Sequence, residues 1–135
     1  PAIVQYLADR VPDRKLAPAA GTMERVRLQE WLNFISTELH KSHSPLFNPA
    51  APEEWKTWMR DLIGRRLALV ATQLEGRDYL LGDFSVADAY LFTVLSWGRF
   101  VNVDTSAWPV IGAYQARMAA RPAVQAALKA EGLLK

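Results

Sequence analysis

Both histidines of this chain, His40 and His43, fall in one short stretch, STELHKSHSPLF, residues 36–47, with Lys41 between them and Pro45 near its end. An imidazole ordinarily titrates near neutrality, so it can donate, accept or relay a proton. Lys41 adds a cation suited to a carboxylate. A metal would need a third ligand at a recognisable spacing, and none stands near the two histidines. The chain has no cysteine, so it supplies neither a disulfide nor a thiolate nucleophile of its own.

Helical spacing places these groups. Leu28, Trp31, Leu32, Ile35 and Leu39 fall at i, i+3, i+4, i+7 and i+11, one apolar stripe that must pack inward. Asn33, Thr37, His40 and Lys41 fall at i, i+4, i+7 and i+8 on the opposite side. The spacing therefore predicts that His40 points away from the helical body. Two readings stay open for this polar stripe. It is a solvated face, with His40 and Lys41 complementing the helix dipole, or it lines a cleft against another domain.

The segment GDFSVADAY carries a second constellation. Ser85 at the N-cap and Asp88 three residues on form a capping-box pair, each side chain satisfying the other's orphan N–H. Because the following residues are strongly apolar, the pair reads as a buried folding element. Of the five tryptophans, Trp31, Trp55, Trp58 and Trp108 read as core or helix-contact residues. Trp97 ends the most apolar helix, a position that can face a cavity.

The elements that must hold these residues are helices throughout; no stretch shows strand alternation. An opening helix with Ile3, Tyr6 and Leu7 on one face ends near Arg10, before Pro12. Thr22 caps a long helix that should run to about Ser42 and be stopped by Pro45. Pro52, Glu53 and Glu54 open another, ending at Gly76, in which Gly64 is read as permitting a close crossing. Residues 86–97 form a very apolar helix, and two more follow, separated before Pro122. The predicted fold class is all-α, a bundle of about five helices plus the tail of a preceding one, with residues 86–97 at its centre.

The length of 135 residues suits one domain, and a formal charge of +2 with interspersed signs gives no basic stripe for nucleic acid. No apolar run approaches the roughly 20 residues needed to cross a bilayer. No charged leader with an apolar block opens the chain, so the expected address is the cytoplasm. A start at Pro1, without Met and already in helical pattern, suggests that more polypeptide lies upstream.

The stretches AIVQYLADRVPD, EWLNFISTELHKSHSPLF, LLGDFSVADAYLFTVLSW and RMAARPAVQAALKAEGL together resemble the C-terminal helical domain of glutathione transferases, most closely the bacterial beta class. The resemblance covers essentially the whole chain. SVADAYLF marks the superfamily at large, whereas NFISTELHK is more specific.

The resemblance implies a division of labour. Residues 1–10 would be the end of the last helix of an N-terminal thioredoxin-like domain, which carries most of the glutathione site and its cysteine, and residues 11–135 the all-α domain. His40 matches the catalytic histidine near the glutathione sulfur, and Asn33, Thr37 and Lys41 match positions bordering the glutathione cleft. Trp97 matches the hydrophobic substrate pocket. His43 falls where relatives often carry an aromatic, either at the rim of that pocket or solvated. Glutathione would be the co-substrate, with no metal, acting on a hydrophobic electrophile in a homodimer to which exposed Trp55 and Trp58 would contribute. Neither nucleic acid nor membrane would be a partner. The alternatives within the superfamily are a non-catalytic interaction module and a glutathione-dependent reductase or dehalogenase.

Overall fold

The computed structural model describes residues 1–134. Its elements are α1 (Ala2–Asp9), a 3-10 turn (Pro12–Arg14), α2 (Met23–Phe34), a π-helical turn (Ile35–His40), α3 (Lys41–Phe47), α4 (Glu53–Leu74), α5 (Val86–Ser96), α6 (Gly98–Val101), α7 (Pro109–Ala119) and α8 (Pro122–Ala130). Among the described residues the only strand-like pairing is one isolated bridge between Leu81 and Asp83. The all-α expectation holds.

The helix starts follow capping chemistry. Thr22 Oγ1 accepts from the Arg25 N–H at 3.2 Å, and Glu24 stands in the first turn against the dipole. Glu53 and Glu54 do the same for α4. At its end Gly76 turns the chain at φ +68°, a left-handed conformation in which a Cβ is costly. The core joins Leu28, Leu32, Ile35 and Leu39 to Ile63, Leu67, Val70 and Leu74 of α4 and to Ile111, Tyr114 and Met118 of α7. Leu91 and Val94 of α5 are fully buried between them. With α1, α2, the π turn, α6 and α7 all against it, α5 is the central helix, as its apolar sequence predicts.

Three expectations need correction. Pro45 does not stop the helix, which runs on to Phe47 before Asn48 leaves it. A proline removes one intrahelical donor, but Leu46 is buried and the Asn48 N–H closes the last turn on the Pro45 carbonyl at 3.2 Å. Trp55 and Trp58 are not core residues; they are 46% and 55% exposed. Gly64 meets no close crossing, since a Cβ there would lie 3.7 Å from the Trp108 ring, an ordinary contact.

The first helix is docked on α2 by two side-chain links, Gln29 donating to Gln5 at 3.0 Å and the Arg25 strut to Asp9. Arg25, itself buried, donates from Nε to the Pro18 carbonyl at 2.7 Å and from its two terminal nitrogens to both carboxylate oxygens of Asp9. This hydrogen-bonded guanidinium holds the Asp9 carboxyl below the usual carboxylate range. Ala8 is buried and Val4 packs on the core, while Ile3, Tyr6 and Leu7 face outward.

Candidate functional site

The long second helix changes its winding over the stretch that ends in His40. From Ile35 to His40 it is π-helical, a form that advances fewer degrees per residue than an α-helix and recurs at functional sites. The apolar stripe absorbs the change: Ile35 and Leu39 stay buried, and Ser42, His43 and Leu46 continue the buried side in α3. Two bonds brace the turn. The Ser42 hydroxyl donates to the Glu38 carbonyl at 2.8 Å, and Arg66 of α4 donates from Nε to the Glu38 carboxylate at 2.7 Å.

The consequence for His40 corrects the simple wheel. Its side chain is exposed but does not point away from the bundle; the ring lies on α5. Nδ1 is 2.8 Å from the Tyr90 hydroxyl oxygen. The imidazole meets the Trp97 indole edge-on, with centroids 4.7 Å apart and planes at 84°. Such edge-to-face pairs add roughly 0.5–1.5 kcal/mol beyond area burial. Tyr90 and Trp97 are seven residues apart, two turns along one side of α5, so one helix face holds the ring at two points.

Trp97 gathers a larger cluster. His43 lies 6.0 Å from it and Phe47 6.2 Å, both near perpendicular. His40, His43 and Phe47 stand at i, i+3 and i+7, the face that the rewound helix turns toward α5. His43 is only 2% exposed, which rules out a solvated ring. Its Nδ1 is 2.8 Å from the Leu39 carbonyl oxygen. Burial pulls this imidazole below its ordinary pKa, partly opposed by that backbone bond, with His40 nearby adding to the lowering.

The structure thus brings His40, His43 and Trp97 together. Asn33, Thr37 and Lys41 are exposed along the preceding and following turns; Thr37 spends its hydroxyl proton on the Asn33 carbonyl at 3.0 Å. Tyr90 and Phe47 are members of the cluster that sequence reasoning missed. Their signal was available in the spacing from Tyr90 to Trp97 and from His40 to Phe47. A concave surface of about 1680 Å³ lies elsewhere, among Asp9, Arg25, Trp31, Phe34, Phe84 and Arg121, and includes neither histidine. Within the His40 cluster the His40 ring is exposed, Trp97 is half-buried and His43 is buried. Among the described residues no group of three or more His, Cys, Asp or Glu side chains is placed to hold a metal ion.

Ser85 and Asp88 form the capping box their spacing predicts, and α5 is positioned by it. Asp88 is 0% exposed and accepts from the N–H groups of Leu80 and Ser85, each at 2.9 Å, and from the Ser85 and Tyr114 hydroxyls at 3.1 and 3.2 Å. Burial raises its pKa from the usual carboxylate value against the pull of these donors, and burial beside Asp88 raises that of Tyr114. The carboxylate ties the 80–85 loop, α5 and α7 together.

Residues 34–122 match the family description "Glutathione S-transferase, C-terminal domain". The chain is 47% identical over 133 residues to the glutathione S-transferase GstA of Escherichia coli O157:H7, covering 98% of this chain and 66% of that protein. It is 36% identical to GST-4.5 of Xanthomonas campestris pv. campestris, over 98% of this chain and 69% of that one. Among solved structures, a ternary complex of BphK, a bacterial GST, shares 61% identity at TM-score 0.96, with 98% and 66% of the two chains covered. The bacterial beta class enzyme of Sphingomonas chungbukensis shares 45% at TM-score 0.93, with 98% and 67% covered. The chain thus spans about two thirds of the length of these relatives. It belongs to the glutathione S-transferase family, as a C-terminal helical domain of the bacterial beta-class type.

Proposed function

We propose that the protein carrying this chain is a glutathione transferase, which presents the thiolate of glutathione to a hydrophobic electrophile. The observation that carries this reading is the exposed His40 imidazole, held by Tyr90 and Trp97 at the edge of an aromatic cluster. The reactive form of glutathione is its thiolate, so a site must favour that form, and a hydrogen-bond donor at the sulfur does so. His40 is the catalytic residue in this reading. Asn33, Thr37 and Lys41 border the glutathione cleft, and Trp97 with His43 behind it forms the wall of the electrophile pocket. A sphingomonad glutathione S-transferase solved in complex with glutathione, 47% identical to this chain, supports glutathione as the co-substrate.

The cleft is closed, in this proposal, by a thioredoxin-like domain preceding residue 11, whose last helix ends as α1. The outward Ile3, Tyr6 and Leu7 support that arrangement, because an isolated helix gains nothing from exposing them. Trp55 and Trp58 on the free side of α4 fit a homodimer contact, since aromatic residues are enriched at such surfaces. A cytoplasmic address goes with this assignment. The test is His40→Ala in the intact protein, assayed with glutathione and an aromatic electrophile. The expected result is a fall in turnover of roughly 100-fold with unchanged thermal unfolding. Wild-type turnover would sink the assignment. Failure of the intact protein to bind immobilised glutathione would turn the reading toward an interaction module.

A further inference from the structure

The proposed function leaves His40 two possible parts, as a donor to the thiolate or as a base taking the thiol proton. We infer that Tyr90 decides between them. Its hydroxyl donates to Nδ1 of His40, which fixes the imidazole as the Nε2–H tautomer and makes His40 a hydrogen-bond donor. This rests on the reading of His40 above.

The argument is one of donor and acceptor strength at a single contact. Nδ1 and the Tyr90 oxygen are 2.8 Å apart, so one proton lies between them. A phenol is the more acidic donor of the two, and an unprotonated imidazole nitrogen is a stronger acceptor than a phenol oxygen. Tyr90 makes no other side-chain hydrogen bond among the described residues, so its proton is free to go to Nδ1. Trp97, whose indole offers only a donor, stacks edge-on and supplies no competing acceptor. In a neutral ring with Nδ1 accepting, the proton sits on Nε2. That atom is the ring nitrogen that Tyr90 leaves unengaged. It stabilises a thiolate by donation and takes no proton from the thiol. Tyr90 acts through His40 and is a positioning residue. A merely structural tyrosine would need only its ring against His40, and its hydroxyl would be dispensable.

The test uses the intact protein and Tyr90→Phe, which keeps the ring and removes the hydroxyl. Nitrogen-15 NMR of the imidazoles near pH 8, where an ordinary histidine is neutral, reports which nitrogen carries the proton. In the wild type Nδ1 of His40 should appear unprotonated and Nε2 protonated. Tyr90→Phe should lose that bias toward one tautomer. Its kcat should fall roughly fivefold to tenfold, the scale of one net hydrogen bond, with KM for glutathione and thermal unfolding held. A protonated Nδ1 in the wild type, or a variant with unchanged tautomer and kcat, overturns the inference. If His40→Ala keeps wild-type turnover, the site reading falls, and the NMR result still judges the Tyr90–His40 bond independently.

Discussion

Nδ1 of His43 lies 2.8 Å from the carbonyl oxygen of Leu39 in the same helix, and the ring around it is 2% exposed. Burial keeps this imidazole neutral in the folded protein at pH values where an unfolded one begins to charge. The unfolded state therefore binds the extra proton first as pH falls through about 6.5, and stability drops with it. One such group contributes a slope of at most about 1.4 kcal/mol per pH unit. Replacing His43 by Phe should flatten the acid limb by up to that amount, read from urea unfolding between about pH 5 and 7. A slope identical to wild type would show that the ring is not held neutral.

Asp88 should behave in the opposite sense and matter more. Its pKa is raised by burial, so the folded state takes up its proton first, and its titration favours the fold on the acid side of the raised value. At neutral pH its worth lies in the donors it satisfies. Asp88→Asn keeps one acceptor oxygen where two serve now, and should cost about 1–3 kcal/mol by leaving a buried N–H unpaired. Tyr114→Phe removes a single donor and should cost about 1 kcal/mol. Denaturant midpoints for the two variants check the order; an Asp88→Asn protein as stable as Tyr114→Phe would refute it.

Gly64 offers a gain. It sits inside α4, where glycine is worth about 1 kcal/mol less than alanine, and the added methyl would touch Trp108 at 3.7 Å without displacing it. Gly64→Ala should raise stability by up to about 1 kcal/mol, seen as a higher melting temperature. A lower one would mean that the Trp108 side of α4 cannot accept even this contact.

Much of this was legible from spacing. The apolar stripe Leu28 to Leu39, the central place of α5 and the Ser85–Asp88 box are local patterns, and the structure shows them as read. The direction of His40 was not, because a wheel drawn at one fixed angle has no term for a π turn, and nothing in residues 35–40 announces one. His43 could have been placed: it follows Leu39 by four and precedes Leu46 by three, so it belongs to the buried side. The opening helix shows a different limit. Ile3, Tyr6 and Leu7 mark it correctly as helical, but Val4 and Ala8 are the ones that meet the core. Periodicity finds a hydrophobic face and does not say which surface it serves. Pro45 was misread because a tertiary contact, the burial of Leu46, outweighs the missing donor.

The π-helical turn has a bearing on how such a chain can change over time. A wider coil accommodates a surplus residue within a rod whose ends stay locked by Leu28 at one side and Leu46 at the other. Trimming one position among 36–38 would let the rod tighten toward an α-helix, with His40 kept in register with Leu46 and so still facing Tyr90 and Trp97. The architecture can thus absorb a gain or loss of length inside one helix, with every buried leucine and the exposed imidazole kept in place.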